Sequence, residues 1–62
     1  MSLDDLKLKL TAVFEPAAEG GFTCRFEELP EVFSEGETLE EAKTNLQQEV
    51  LLYFYLIIFI YI

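Results

Sequence analysis

The 62-residue chain predicts an α+β fold, a three-stranded antiparallel β-meander followed by one long helix packed on the sheet, with a C-terminal apolar extension. Three observations predict it. Apolar and polar residues alternate over residues 6–14 and again over 22–26, the period of strands with one buried face. A Thr-x-x-Glu signature at Thr38–Glu41 then changes the period to that of a helix. Finally, residues 50–62 contain no charge, no Gly and no Pro, and three tyrosine hydroxyls are their only polar side-chain groups.

The first strand is expected over residues 6–14, where Leu6, Leu8, Leu10, Ala12 and Phe14 alternate with Lys7, Lys9, Thr11 and Val13. Pro16 and the Gly20-Gly21 pair end it. Proline donates nothing to a ladder and glycine reaches positive φ, so this stretch is a hairpin connection. Phe22, Cys24 and Phe26 alternate with Thr23, Arg25 and Glu27, which puts two aromatics and the thiol on one face of the second strand. Leu29-Pro30 marks a bend, Val32-Phe33-Ser34 a short third strand, and Glu35-Gly36-Glu37 another turn.

The helix starts at a capping box. The Thr38 hydroxyl is placed to accept the Glu41 N–H, and the Glu41 carboxylate to accept the Thr38 N–H. Glu40 and Glu41 also favour the positive end of the helix dipole. Leu39, Ala42, Leu46, Val50 and Tyr53 or Phe54 follow at spacings of three and four, a stripe to lie across the sheet. Ala42 is small where the helix must come close. No stop signal follows, so the helix is expected through about Leu56 and beyond, apolar on all sides because it lies between subunits.

Length and composition imply one small domain over residues 1–62, with its core in 6–56 and an oligomerisation tail in 50–62. A chain this short buries only ~60% of its unfolded surface. Cys24 is alone and there is no His, so neither an internal disulfide nor a metal cluster is available as a staple, and no cofactor is expected. Self-association is the remaining way to add core. Leu51, Phe54, Tyr55, Ile57, Ile58, Phe59, Ile60, Tyr61 and Ile62 are the expected interface of a homodimer or larger assembly. The tail is shorter than the ~20 apolar residues that cross a bilayer. Its flank, Gln47-Gln48-Glu49, is repelled by anionic lipid. A structural or membrane-associated assembly subunit is therefore the weaker alternative. Met1-Ser2-Leu3-Asp4-Asp5 lacks the basic and apolar regions of a secretion signal, which points to the cytoplasm.

Twelve acidic residues face Lys7, Lys9, Arg25 and Lys43, a net charge of −8. That charge argues against direct nucleic-acid binding and favours solubility or a basic protein partner. Glu27, Glu28, Glu31, Glu35 and Glu37 would suit a Mg²⁺ site only if they converged from neighbouring strands. They are expected on turns and hairpin edges instead, so no catalysis is expected. Cys24, between Phe22 and Phe26, reads as a small core hydrophobe. Tyr53, Tyr55 and Tyr61 suit a protein interface as well as a membrane belt.

Several segments, in order, carry a resemblance: Phe14-Glu15-Pro16, Glu19-Gly20-Gly21-Phe22, Glu28-Leu29-Pro30, Ser34-Glu35-Gly36-Glu37-Thr38-Leu39-Glu40-Glu41-Ala42, then Asn45 and Glu49. Together residues 10–55 resemble the HicB-like antitoxins, whose small domain has a partial ribonuclease-H-like shape. The resemblance implies a β-β-β-α core, oligomerisation, and neutralisation of a small basic messenger-RNA-cleaving toxin. Glu31 stands where the family usually has Gly after Leu-Pro. An apolar run stands where the family has a DNA-binding module, so operator binding is not carried over. For a basic partner, the expected contacts are Glu15, Glu19, Glu27, Glu31 and Glu35, outside the core stripes.

Overall fold

A computed structural model describes residues 9–61 and contains strands β1 (Ala12–Pro16), β2 (Phe22–Phe26) and β3 (Phe33–Gly36), followed by helix α1 (Leu39–Tyr61). The strands form one antiparallel sheet in the order β1-β2-β3, and α1 covers one face, mainly along β3 and β2. This is the expected α+β arrangement.

β2 starts at the expected Phe22 and has the expected faces, while Glu27, the last residue of the expected alternation, falls in the bend after it. Cys24 and Phe26 are buried, Phe22 packs against them, and Thr23 and Arg25 face outward. β1 differs from expectation. It begins at Ala12, because β2 offers it no partner beyond Phe26; the Thr11 backbone is taken instead by Glu27 and Glu28. The expected start at Leu6 lies outside the described residues. β1 also runs through Pro16, opposite Phe22, which an edge strand paired on one side tolerates. The loop that follows closes with Ala17 and Gly21 in mutual contact, and both glycines have positive φ, 100° and 76°.

The connection from β2 to β3 folds as a turn in which the Val32 N–H donates to the Leu29 carbonyl at 2.9 Å, with Pro30 in the position that proline presets. Val32 is thereby buried and precedes β3 rather than opening it; the strand runs one residue later and two residues further than expected, through Glu35 and Gly36. The turn into the helix is left to Glu37 and Thr38.

α1 is capped as expected on one side only. The Glu41 N–H donates to Thr38 Oγ1 at 3.1 Å, while among the described residues no return bond from the Glu41 carboxylate is made. Ala42 and Leu46 are fully covered, and Val50 and Tyr53 pack at the margin of the same core. Leu39 is half exposed, contrary to its expected place in the stripe. It lies a turn before Ala42, which meets the last residue of β3, so no strand lies beneath it. Asn45 ties the helix to the sheet edge by donating from Nδ2 to the Glu35 carbonyl at 2.8 Å.

The contact at Gly36 sets the spacing of the two layers. A Cβ added there would overlap the backbone nitrogen of Ala42 and stand 2.8 Å from its Cα. Gly21 is constrained from the same point, since a Cβ on it would meet the Gly36 carbonyl oxygen at 2.6 Å. The core is accordingly thin. Cys24, under Ala42, donates its S–H to the Ala42 carbonyl at 3.3 Å, and burial pushes its thiol pKa up.

The expected C-terminal extension is not a separate element. Residues 50–61 continue α1, and most of the apolar side chains over 51–60 stand exposed rather than forming added structure. The reason is length. Strands of five residues span ~17 Å, whereas the 23 residues of α1 span ~34 Å. Starting at one end of the sheet, the helix leaves the other end after about eleven residues, near Val50. The turn between β2 and β3 extends the cover only as far as Tyr53, whose hydroxyl donates to Glu31 at 3.5 Å.

Gly36→Ala should lower stability by ~1–3 kcal/mol through overpacking against backbone, and Thr38→Ala by ~1 kcal/mol through loss of the cap. Urea unfolding midpoints check both. An unchanged midpoint for Gly36→Ala would mean that the helix does not approach the sheet at this point.

Candidate functional site

Two surfaces are unusual in chemistry, and they lie on different parts of the molecule. The first is the free half of α1. Tyr55 is 78% exposed and Phe59 80%, and Leu51, Ile58 and Ile60 are also mostly exposed. Of the other expected interface residues, Phe54 and Ile57 are half-buried, Phe54 against the Tyr53 ring at a centroid distance of 5.8 Å. Tyr61 ends the helix, and Ile62 lies outside the described residues. Sequence reasoning missed Leu52 and Leu56, both mostly exposed. Their signal was present as a 4-3 spacing through Phe59, down a different side of the helix from the core stripe.

In the first half of α1 the sides away from the sheet carry Glu40, Thr44, Gln47 and Gln48. From Val50 onward every side is apolar. A helix apolar on all sides is one that other elements surround. Among the described residues, no helix is long and apolar enough to cross a membrane.

The second surface is acidic, and the structure divides its expected members. Glu15, Glu19 and Glu35 lie toward the hairpin end, whereas Glu27 and Glu31 lie at the opposite end of the sheet. Glu15 and Glu35 flank Thr23 on the face away from α1. Glu15 is already engaged, accepting from Arg25 Nη1 at 2.8 Å across the strands. Glu19 and Glu35 share a hollow with Glu37, Glu41 and Asn45 beside the start of the helix. Glu31 lines another hollow with Glu49, Leu52 and Leu56, where the acidic body meets the apolar half of the helix. Glu27 stands exposed in the bend after β2, its N–H donating to the Thr11 carbonyl. The carboxylates considered for Mg²⁺ are split between the same two ends, and among the described residues no three ligating side chains gather around one point.

The outer face of the sheet adds a feature that the sequence reading left without a role. Phe33 is 68% exposed there, beside Arg25, and borders a hollow with Thr23, Ser34 and Glu35. Alternation about the buried Val32 is the signal that turns Phe33 outward.

Glu28 is an exposed carboxylate held by the backbone of a neighbouring segment. Its Oε1 accepts the Thr11 N–H at 2.6 Å, and this backbone bond, helped by the Thr11 hydroxyl, keeps its carboxyl below the usual range.

Comparison with known proteins gives one similarity to report. The chain is 36% identical over 45 residues, 73% of its length, to the UPF0150 protein ssl0738 of Synechocystis sp. (strain ATCC 27184 / PCC 6803 / Kazusa). The aligned part is 62% of that relative, so the chain spans less than two thirds of the relative's length. No family model and no solved structure matches.

A lowered folded pKa at Glu28 contributes stability that is present above the unfolded value and lost as pH falls through the folded one. Wild type should therefore exceed Glu28→Gln in urea midpoint at about pH 6, above the ordinary Glu pKa of ~4.3, and the gap should close toward about pH 3. A gap independent of pH would contradict a charge-dependent bond to Thr11.

Proposed function

We propose that this protein is a non-catalytic, HicB-like antitoxin module that self-associates through the second half of α1 and neutralises a small basic RNA-cleaving toxin in the cytoplasm. The observation that carries the reading is the division of the surface. All of the charge, −8 net, lies before Val50, and the apolar half of α1 that follows is left mostly uncovered by the described residues. An enzyme needs groups that converge, whereas here the polar groups spread outward and the uncovered groups are apolar. This is the pattern of a protein that works by being bound.

The β-β-β-α order agrees with what the resemblance over residues 10–55 implies. The similarity to the UPF0150 protein is compatible with the same family, and its name states no activity. Toxin contact is assigned to the hairpin end, where Glu19 and Glu35 have no cationic partner among the described residues and Glu37 and Glu41 adjoin them. Charges of this kind speed encounter with a basic partner and make it salt-dependent. Glu27 and Glu31, at the other end, are left to the margin of the self-associating surface.

The test is a search beside this chain's gene for a small basic protein, followed by co-expression of the two. Growth arrested by that protein alone should be restored by this chain, and the purified complex should dissociate as salt rises. RNA cleavage by the purified chain, lost on Glu27→Gln or Glu35→Gln, would make it an enzyme and overturn the proposal.

A further inference from the structure

We propose that the free edge of β1 takes a short extended segment of another protein as a fourth strand, one whose inward apolar side chains are followed by a carboxylate. This edge is distinct from both surfaces assigned above. The Glu27 N–H donates to the Thr11 carbonyl and the Ala17 N–H to the Gly21 carbonyl, so the odd-numbered residues of β1 turn their backbone groups to β2. Ala12 and Phe14 turn theirs the other way, where among the described residues nothing takes them. Two N–H groups and two carbonyls therefore stand in a row, and Pro16, which has no N–H, ends it. The opposite edge of the sheet is less open, because Asn45 already fills the Glu35 carbonyl of β3.

The side chains beside this edge specify what would pair with it. Leu10, Ala12, Phe14, Phe26 and Leu46 line a hollow on the helix side of the sheet, with Lys43 beside them on α1. The helix lies along β3 and β2, which leaves Ala12 exposed and Phe14 half-buried. Every second side chain of an added strand would enter the hollow, so those side chains are apolar. Charge sets the next position. The other hollows described above each contain a carboxylate, and this one contains none. Lys43 has no carboxylate partner among the described residues. It stands toward the Pro16 end, because its neighbour Ala42 meets Gly36, which is level with Phe22 and Pro16. With a Debye length of ~8 Å at physiological ionic strength, the nearest charge outweighs the net charge of the body. The inward side chain at that end is accordingly Asp or Glu. A second copy fits worse. Paired antiparallel about Val13, it would bring the Lys43 end of each copy to the Lys9 end of the other, cation against cation.

The experiment titrates the full chain with labelled peptides and follows its amides by NMR. The probes are the end-capped peptide Thr-Leu-Thr-Val-Thr-Glu-Thr and its reverse, which cover both strand directions, and the same peptides with Lys in place of Glu. One Glu peptide should bind at least about tenfold more tightly than its Lys counterpart. In that complex the Ala12 and Phe14 amides should exchange more slowly. Lys43→Glu should reverse the preference. Ala12→Pro should abolish binding and leave the circular dichroism of the fold unchanged, since an edge position that donates to no strand tolerates proline; if that variant unfolds, the Lys43→Glu reversal decides alone. Equal affinity for Glu and Lys peptides, binding that survives in folded Ala12→Pro, or no binding at about 1 mM peptide would overturn the proposal. Protection of the Ala12 and Phe14 amides without peptide would overturn it as well. It would assign the edge to the chain's own residues if independent of protein concentration, and to a second copy if it rises with concentration. Self-association through α1 leaves these two amides unprotected, so the two readings fail separately.

Discussion

The approach of Ala42 to Gly36 is the contact on which the rest of the molecule depends. Backbone meets backbone there with no room for a Cβ on the strand, which fixes both the separation of helix and sheet and the point at which the helix begins. The thiol of Cys24 lies in the narrow layer that results, against the Ala42 carbonyl. Because α1 begins level with the end of β3, its surplus length projects entirely from the opposite end. A helix started elsewhere would share its overhang between both ends.

That overhang accounts for the dimensions of the molecule, 44 × 21 × 17 Å, and for the contrast in its surface. The body is small and its core consists of few side chains, so the proposed self-association would add apolar burial that the described residues do not provide by themselves. In that proposal the acidic surface has the complementary role of opposing unspecific association before the apolar half is covered. The two properties are linked through geometry rather than through contact, since the acidic hairpin end and the apolar helix end are the two extremes of one long axis.

Much of this was legible in the sequence. β2 could be read to within one residue because strict alternation and two flanking turns define it. The helix start was visible in Thr38 and Glu41. β1 was misjudged because its limits are set by its partner: alternation at Leu6 and Leu8 says nothing about where β2 stops offering hydrogen bonds. β3 shifted because Val32, buried by the turn at Pro30, resembles a strand residue in composition. Leu39 keeps the spacing of the core stripe, but spacing carries no information on where the sheet ends. The same blindness explains the omission of Leu52 and Leu56. The apolar run was plain, yet which of its sides remain uncovered depends on how far the sheet reaches. The acidic contacts were chosen by their absence from the core stripes, a criterion that cannot separate two ends of a sheet or detect that Arg25 already holds Glu15.

The central proposal is that the first half of α1 is held by its own sheet and the second half by other copies. Amide hydrogen exchange along the helix, followed as protein concentration is varied, tests it most directly. Protection of residues 42–50 should be independent of concentration, because the sheet that covers them belongs to the same chain. Protection of residues 53–61 should rise with concentration as neighbouring helices cover them. Equal and concentration-independent protection along the whole of α1 would contradict the account.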